Sequence, residues 1–232
     1  MSSSDPQKVP LAPCWHTGAL IAVIVAVAAT GALLTSRGLA PSPPAPAGSR
    51  VLISYVPMLL VQGGLVAYVS RVGRPRSVLR ALLGAGWNSL GRAAADLAIA
   101  LAGWALLLAC EFAWARLFAT GTPASVTSLL PHTLSERLAW LVVSLCVGCS
   151  EEIVFRGYLQ TQLTAFTKRP LLALLLQGAL FGLAHAEQGA GAVLRLALYG
   201  VAFGALARWR KSLLPGMACH AWTDLASGLL RP

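Results

Sequence analysis

The sequence predicts an all-α fold, a polytopic bundle of about seven transmembrane helices with a further short helix at the membrane interface. Hydrophobic residues make up 56% of the 232 residues and charged residues only 11%. The mean hydropathy is +0.69, which is too apolar for a soluble core. The apolar residues fall into runs close to the ~20 residues that cross a bilayer as a helix. The chain is therefore predicted to be an integral membrane protein.

The net charge of +10 does not indicate nucleic-acid binding. Basic residues lie mostly in short groups between the apolar runs, at residues 71–92, 168–169 and 208–211, where they flank membrane spans. Because Lys and Arg favour the cytoplasmic side, these groups predict a cytoplasmic N-terminus. The Ala-, Leu- and Arg-rich composition indicates a bacterial inner membrane, so the lipid bilayer is an expected partner and nucleic acid is not.

The first two predicted spans are residues 18–35 and 51–69. A cleavable signal peptide is the competing interpretation of the first, although its apolar region is longer than the usual 7–15 residues. A Pro- and Ala-rich loop at 41–48 separates the two spans, because proline cannot continue a helix. The basic residues that follow the second span return the chain to the cytoplasmic side.

Apolar residues between 79 and 90 recur near helical spacing opposite polar ones, which predicts the interfacial helix. A plain basic loop is the alternative. Residues 93–114 form the third span. Asp96 and Glu111 lie near its two ends, shallow enough to reach water or lipid head groups, and both are interpreted as structural.

The second half of the chain supplies four predicted spans, at residues 138–166, 171–186, 190–209 and 213–230. The first of these exceeds ~20 residues, so it is expected to tilt, kink or project from the bilayer. Arg195 in the sixth span is expected to snorkel to the outer interface; contact with a substrate is the alternative. Residues 1–137 are treated as N-terminal spans and residues 138–232 as the helical core that carries the chemistry, within one membrane domain.

The fourth span contains three charged residues, Glu151, Glu152 and Arg156. An ionisable residue within a spanning helix costs roughly 2.5–3.5 kcal/mol on insertion scales, so it normally faces the protein interior and marks a functional site. Glu152 and Arg156 are four residues apart and can form an ion pair on one helical face. Glu151 has no such partner, so it is free to bind a proton, a water or a metal.

Two later spans carry groups that could meet Glu151. Phe181 and His185 share one face of the fifth span, and His220 and Asp224 share one face of the seventh. A lone membrane histidine more often makes an interhelical hydrogen bond, but two histidines and three carboxylates together favour a functional site. Four small residues would permit close helix approach: Gly148, Gly178, Gly182 and Gly216.

This set of residues admits two chemistries, and in both a water attacks a carbonyl. In the first, Glu151 with His185 acts as a general base while His220 and Asp224 stabilise the oxyanion. In the second, the two histidines and a carboxylate bind zinc. The spacing differs from the His-Glu-x-x-His helix of soluble zinc proteases. An ionised Asp224 cannot donate a hydrogen bond to an oxyanion, whereas it can orient His220 or bind a metal.

Three motifs, Glu-Glu-x-x-x-Arg, Phe-x-x-x-His and His-x-x-x-Asp, follow in this order on hydrophobic spans between about residues 138 and 230. Together they resemble the motifs of the CAAX protease and bacteriocin-processing (CPBP) family of intramembrane endopeptidases. The resemblance implies hydrolysis of a peptide bond in or near the membrane-anchored segment of a protein or peptide substrate. The family has been described both as metal-independent glutamate proteases and as metalloproteases.

The resemblance also implies residue roles. The first glutamate would activate the water together with the histidine of the second motif. The second glutamate and the arginine would support these two residues. The histidine and aspartate of the last motif would stabilise the oxyanion or orient its donors. The family often has Asn at the final position, so Asp departs from the common pattern. The implied catalytic residues are Glu151, Glu152, Arg156, His185, His220 and Asp224. The glutamate type is favoured, so no cofactor is expected; if zinc is used, the ligands would be His185, His220 and Glu151.

Two other classes of function remain open from the sequence. A proton-coupled transporter could use the same carboxylates and histidines as a relay, but it would predict related halves, and no internal repeat is present. A non-catalytic immunity or sorting protein would keep the fold without turnover. The sequence does not select a substrate.

Overall fold

The fold is a bundle of apolar helices. The computed structural model describes residues 9–38, 48–72, 78–118 and 121–230, so most of the predicted loop at 41–48 and residues 73–77 of the arginine-rich segment lie outside the described residues. The helices are α1 Cys14–Ser36, α2 Val51–Val72, α3 Val78–Leu83, α4 Leu90–Phe118, α5 Ala124–Thr127, α6 Leu134–Thr167, α7 Pro170–Leu183, α8 Ala190–Arg210 and α9 Leu214–Leu229.

The prediction of an all-α, polytopic membrane bundle is confirmed. Within the described residues, five helices are long and apolar enough to cross a membrane, namely α1, α2, α4, α6 and α8. The other two predicted spans are shorter, since α7 has 14 residues and α9 has 16. Helix α7 ends at Leu183, after which the His185 N–H bonds to the Gly182 carbonyl, three residues back, and a single 3-10 turn follows.

The predicted interfacial helix is only partly present. Helix α3 stops at Leu83, and the chain then pairs with the segment between α8 and α9: Ala85 N–H donates to the Lys211 carbonyl, and Leu213 N–H donates to the Leu83 carbonyl. Leu82 is buried in the hydrophobic core. These main-chain bonds fix the segment to the bundle and end its helix earlier than predicted.

Antiparallel packing brings the basic groups to one end of the bundle. Helices α7 and α8 form a hairpin, which puts the start of α7 beside the end of α8. At that end the Arg92 guanidinium donates to the Arg210 carbonyl, and Arg210 pairs with Asp96 at 2.7 Å. Asp96 is fully buried, so the expectation that it reaches water is wrong. The cytoplasmic orientation of this basic end stays a prediction.

Helix α6, at 34 residues, is the longest helix described. It begins at a capping box in which the Thr133 hydroxyl accepts from the Glu136 N–H and the Glu136 carboxylate accepts from the Thr133 N–H. Glu136 also pairs with buried Arg50 at 3.3 Å, which ties the start of α6 to the start of α2. The stretch Glu152–Leu159 is π-helical with every side chain buried, and such stretches are frequent at functional sites.

Glycines allow close backbone contact between two helix pairs, as predicted from the sequence. Gly148 on α6 lies against Ala221 on α9, Gly182 on α7 lies against the Val193 carbonyl on α8, and Gly178 lies against Val201. A side chain at any of these positions would meet main-chain or firmly packed atoms. The α6–α9 contact matters most for the polar residues, because Glu151 and His220 flank it.

We expect Gly148→Ala to lower the melting temperature in detergent. The new Cβ would lie 2.6 Å from the Ala221 backbone nitrogen, which cannot move without separating α6 from α9. Overpacking of this kind costs about 1–3 kcal/mol. Gly63→Ala on α2 is the matched control, because its Cβ would meet no atom within 4 Å. Equal melting temperatures for the two variants would contradict the close contact.

Candidate active site

The buried ion pair predicted within α6 is confirmed. Arg156 Nη1 lies 3.1 Å from Glu152 Oε1, and neither side chain is exposed. The guanidinium also lies over the rings of Phe181 and Phe203, 4.1 and 5.3 Å from their centroids. These aromatic faces stabilise the cation where water cannot reach it. Gly216 on α9 leaves room for the other carboxylate oxygen, since a Cβ there would lie 3.0 Å from Glu152 Oε2.

His220 on α9 joins both glutamates of α6. Its Nδ1 lies 3.1 Å from Glu152 Oε1, within hydrogen-bond distance, while its Nε2 lies 3.7 Å from Glu151 Oε2 and 3.8 Å from Asp224 Oδ2. The imidazole stacks on Phe203 with ring centroids 5.4 Å apart. A carboxylate on Nδ1 fixes the orientation of the ring. Nε2 is thereby directed at the space between Glu151 and Asp224.

Glu151 is held by a residue that sequence reasoning missed. Gln62 on α2 donates through Nε2 to Glu151 Oε1 at 3.1 Å, and Ser150 Oγ donates to Gln62 Oε1 at 2.8 Å. The serine bond sets which end of the Gln62 amide faces the glutamate. One carboxylate oxygen of Glu151 therefore contacts Gln62 and the other faces His220. The sequence did contain one signal for this role, because Gln62 is a polar side chain in the middle of an otherwise apolar span.

His185 lies just beyond the end of α7 and not on the helical face that the sequence predicted. Its Nδ1 is 2.8 Å from the Phe181 carbonyl oxygen, so Nδ1–H donates there and Nε2 is left as the basic nitrogen. The Phe181 ring lies 5.0 Å from the His185 ring and 6.0 Å from the His220 ring. The two histidines thus flank one phenylalanine. Within the described chain, no hydrogen bond or ion pair joins His185 to Glu151.

Comparison with known protein families identifies the segment that contains these residues. Residues 133–226 match a family model described as Rce1-like, type II CAAX prenyl endopeptidase. This segment is similar to the type II CAAX prenyl endopeptidases, in agreement with the motifs found in the sequence. The match covers about two fifths of the chain and includes all six residues predicted as catalytic. No curated protein and no solved structure matches the chain.

The match over residues 133–226 supports, at the level of this family model, a CAAX-type intramembrane protease. The apolar helices make the chain an integral membrane protein, and the family implies a membrane-anchored protein as substrate. Gln62 lies outside the matched segment, yet it contacts Glu151. The N-terminal spans therefore contribute to the polar cluster, which consists of Gln62, Glu151, Glu152, His220 and Asp224.

The predicted zinc ligands are His185, His220 and Glu151. His220 Nδ1 contacts Glu152 and its Nε2 is 3.7 Å from Glu151, while His185 Nδ1 donates to a main-chain carbonyl, so Nε2 is the atom of each ring that is left to bind a metal. Zinc needs three protein ligands converging at about 2.0–2.2 Å from one point. Among the described residues, no group of three or more His, Cys, Asp or Glu side chains is arranged to hold a metal ion. The expectation that no cofactor is needed, and the zinc alternative, both stay predictions.

Arg195 differs from its predicted role. Its Nη1 lies 2.9 Å from Glu111 Oε2, and its side chain is only 14% exposed, so it is paired within the protein and does not extend away from the bundle. Tyr199 donates to the other oxygen of Glu111 at 2.9 Å. Sequence periodicity could not find this pair, because Glu111 and Arg195 belong to different helices.

We expect Gln62→Leu to lower kcat roughly tenfold to hundredfold with little change in KM, because displacement of a reacting group by about 1 Å has that cost. Ser150→Ala should give a smaller loss in the same direction, since the Gln62 amide is then free to rotate. Val61→Ala, an exposed neighbour on the same helix, is the control. A change in KM alone, or an unchanged kcat, would show that Gln62 does not position Glu151.

Proposed function

We propose that this protein is an intramembrane endopeptidase that hydrolyses one peptide bond in or near the membrane-anchored segment of a protein substrate. One observation carries this activity: the carboxylates of Glu151, Glu152 and Asp224 converge from two helices on the imidazole of His220. Such groups are costly within a membrane span unless they serve a site. Their types are those needed to activate water and stabilise an oxyanion.

In the proposed reaction, Glu151 accepts a proton from a water that attacks the scissile carbonyl carbon, with Nε2 of His185 as second acceptor. The carbonyl oxygen becomes an oxyanion facing Nε2 of His220. When doubly protonated, His220 donates to Glu152 through Nδ1 and to the oxyanion through Nε2. The C–N bond then breaks as Glu151 returns its proton to the leaving nitrogen, which releases an amine and a carboxylate.

The remaining residues act by position in this mechanism. Glu152 and Arg156 keep the His220 ring in place and together carry no net charge. Asp224 lies beside Nε2 of His220 and, when ionised, accepts hydrogen bonds but donates none. It therefore orients His220 and does not contact the oxyanion as a donor. Gln62 keeps the Glu151 carboxylate turned toward the same space.

The test of the function is a comparison of membrane proteomes from cells that carry the wild type, Glu151→Gln or Glu187→Gln. Glu187 is the matched control, because it lies outside the polar cluster and bonds only to its neighbour Gln188 among the described residues. We expect one or a few membrane-anchored proteins to accumulate uncut with Glu151→Gln alone. Identical proteomes in all three strains would reject the proposed activity.

We further propose that hydrolysis needs no metal, because the described donor groups do not converge on one point. Purified protein is expected to keep its cleavage rate within about twofold after dialysis against a chelator, since no step above passes through a metal. Elemental analysis of the same sample provides the second readout. Loss of activity that added zinc restores would overturn the metal-free mechanism.

A further inference from the structure

A cavity of about 510 Å³ lies beside the polar cluster and reaches it at Asp224. Its walls come from α4, α8, α9 and the segment after α4, and include Trp104, Glu111, Arg195 and Tyr199. Ligand pockets in proteins typically measure ~300–1,000 Å³. The cavity is therefore large enough for a short stretch of peptide, and a ligand within it would contact Asp224.

A second cavity of about 280 Å³ adjoins the first on the side away from Asp224. Gly121, Pro123, Gln188 and Arg195 line both cavities. They lie where α4 has ended and α8 is beginning, at the end of the bundle opposite the basic groups. Arg195 therefore lies at the junction between an outer and an inner chamber, and a segment moving from one to the other passes it.

The polar groups at this junction have unused hydrogen-bonding capacity. Arg195 Nη1 contacts one carboxylate oxygen of Glu111, and Tyr199 Oη donates to the other. Each carboxylate oxygen can accept a second hydrogen bond. Arg195 Nε is buried and has no hydrogen-bond partner among the described residues. A buried donor left unpaired costs about 1–3 kcal/mol, so an acceptor supplied by a ligand would be favourable here.

We propose that Arg195, Glu111 and Tyr199 form a subsite that binds the main chain of the peptide segment to be cut, which rests on the proposed function. Arg195 donates to a peptide carbonyl, and Glu111 accepts from a peptide N–H. A peptide amide has both a carbonyl acceptor and an N–H donor. It is neutral, as is the Arg195–Glu111 ion pair as a whole, so binding brings no net charge into the subsite. A substrate carboxylate fits less well, because Glu111 would repel it. The segment enters through the outer chamber, from the end opposite the basic groups.

The kinetic test uses the substrate that accumulates with Glu151→Gln, reconstituted in proteoliposomes. Arg195→Gln is expected to raise KM about tenfold and to change kcat by less than about threefold. Arg195→Lys keeps the charge but lacks the Nε donor, so its KM should lie between those of the wild type and Arg195→Gln. Arg208→Gln, at the other end of α8, is the matched control and should leave KM unchanged. A KM within twofold of wild type for Arg195→Gln would overturn the subsite.

A second measurement keeps the inference testable if Arg195→Gln does not fold. In the Glu151→Gln protein, the photo-crosslinker p-benzoyl-phenylalanine replaces Phe112, which lines the inner cavity, or Phe118, which lines neither cavity. We expect crosslinks from position 112 to substrate residues flanking the cleavage site, and none from position 118. Crosslinks from 118 alone, or none from either, would overturn the inference. Failure of the wild-type protein to cleave the accumulating substrate would instead reject the proposed function itself.

Discussion

Glu151→Gln is expected to reduce kcat for the cognate substrate by about 10²–10⁴-fold, the range that a general base contributes. The amide keeps the size of the carboxylate and can still accept from Gln62, so the fold should be retained. What it loses is the ability to take a proton from water. Measurement in proteoliposomes, with the melting temperature recorded in parallel, separates loss of chemistry from loss of structure.

Glu151→Asp provides a graded comparison for this prediction. It keeps the carboxylate but withdraws it by one methylene, so part of the rate should remain. Glu187→Gln should leave both kcat and KM unchanged. If Glu151→Gln retains more than about a tenth of the wild-type kcat, Glu151 is not the base, and His185 would be the next residue to test.

The largest effect on stability is expected for Arg156→Met, which should cost about 3–5 kcal/mol, because it leaves Glu152 as a buried carboxylate without its cation. The apolar side chain is similar in length, so the cost comes from the charge and from the lost contacts with Phe181 and Phe203. A marked fall in melting temperature and in yield of folded protein is the measurable result.

The double variant Glu152→Gln with Arg156→Met distinguishes an uncompensated charge from simple loss of packing. Removing both charges should recover most of the stability lost by Arg156→Met alone, because replacement of a buried pair by neutral groups is often tolerated. Cleavage should stay low, since an amide holds His220 less firmly than a carboxylate does. A double variant no more stable than the single one would assign the cost to packing.

Much of the fold and part of the site could be predicted from the sequence. Apolar runs of about 20 residues identify the helices because a bilayer requires main-chain hydrogen bonds to be satisfied within each span. Spacing of four residues identified the pair Glu152 and Arg156, since that contact lies within one helix. The proximity of His220 to α6 was inferred from the cost of burying so many polar groups in a membrane. In the structure, His220 lies beside both glutamates of α6.

Contacts between helices were harder to predict. Gln62 reaches Glu151 from a span whose sequence otherwise indicates only lipid contact, and no periodic pattern connects the two helices. Arg195 was expected at the interface because its partner, Glu111, is 84 residues away in the chain. His185 lies off its helix because the chain leaves α7 after Leu183 and enters a 3-10 turn. Each of these depends on how the helices pack, which spacing within one helix does not encode.

The most direct test is a density map of the Glu151→Gln protein with its uncut substrate bound. We expect the scissile peptide bond to lie between residue 151 and His220, with the carbonyl oxygen within hydrogen-bond distance of His220 Nε2 and the preceding or following residues beside Arg195. A substrate bound elsewhere in the bundle, with Glu152, His220 and residue 151 turned to separate neighbours, would contradict hydrolysis at this site.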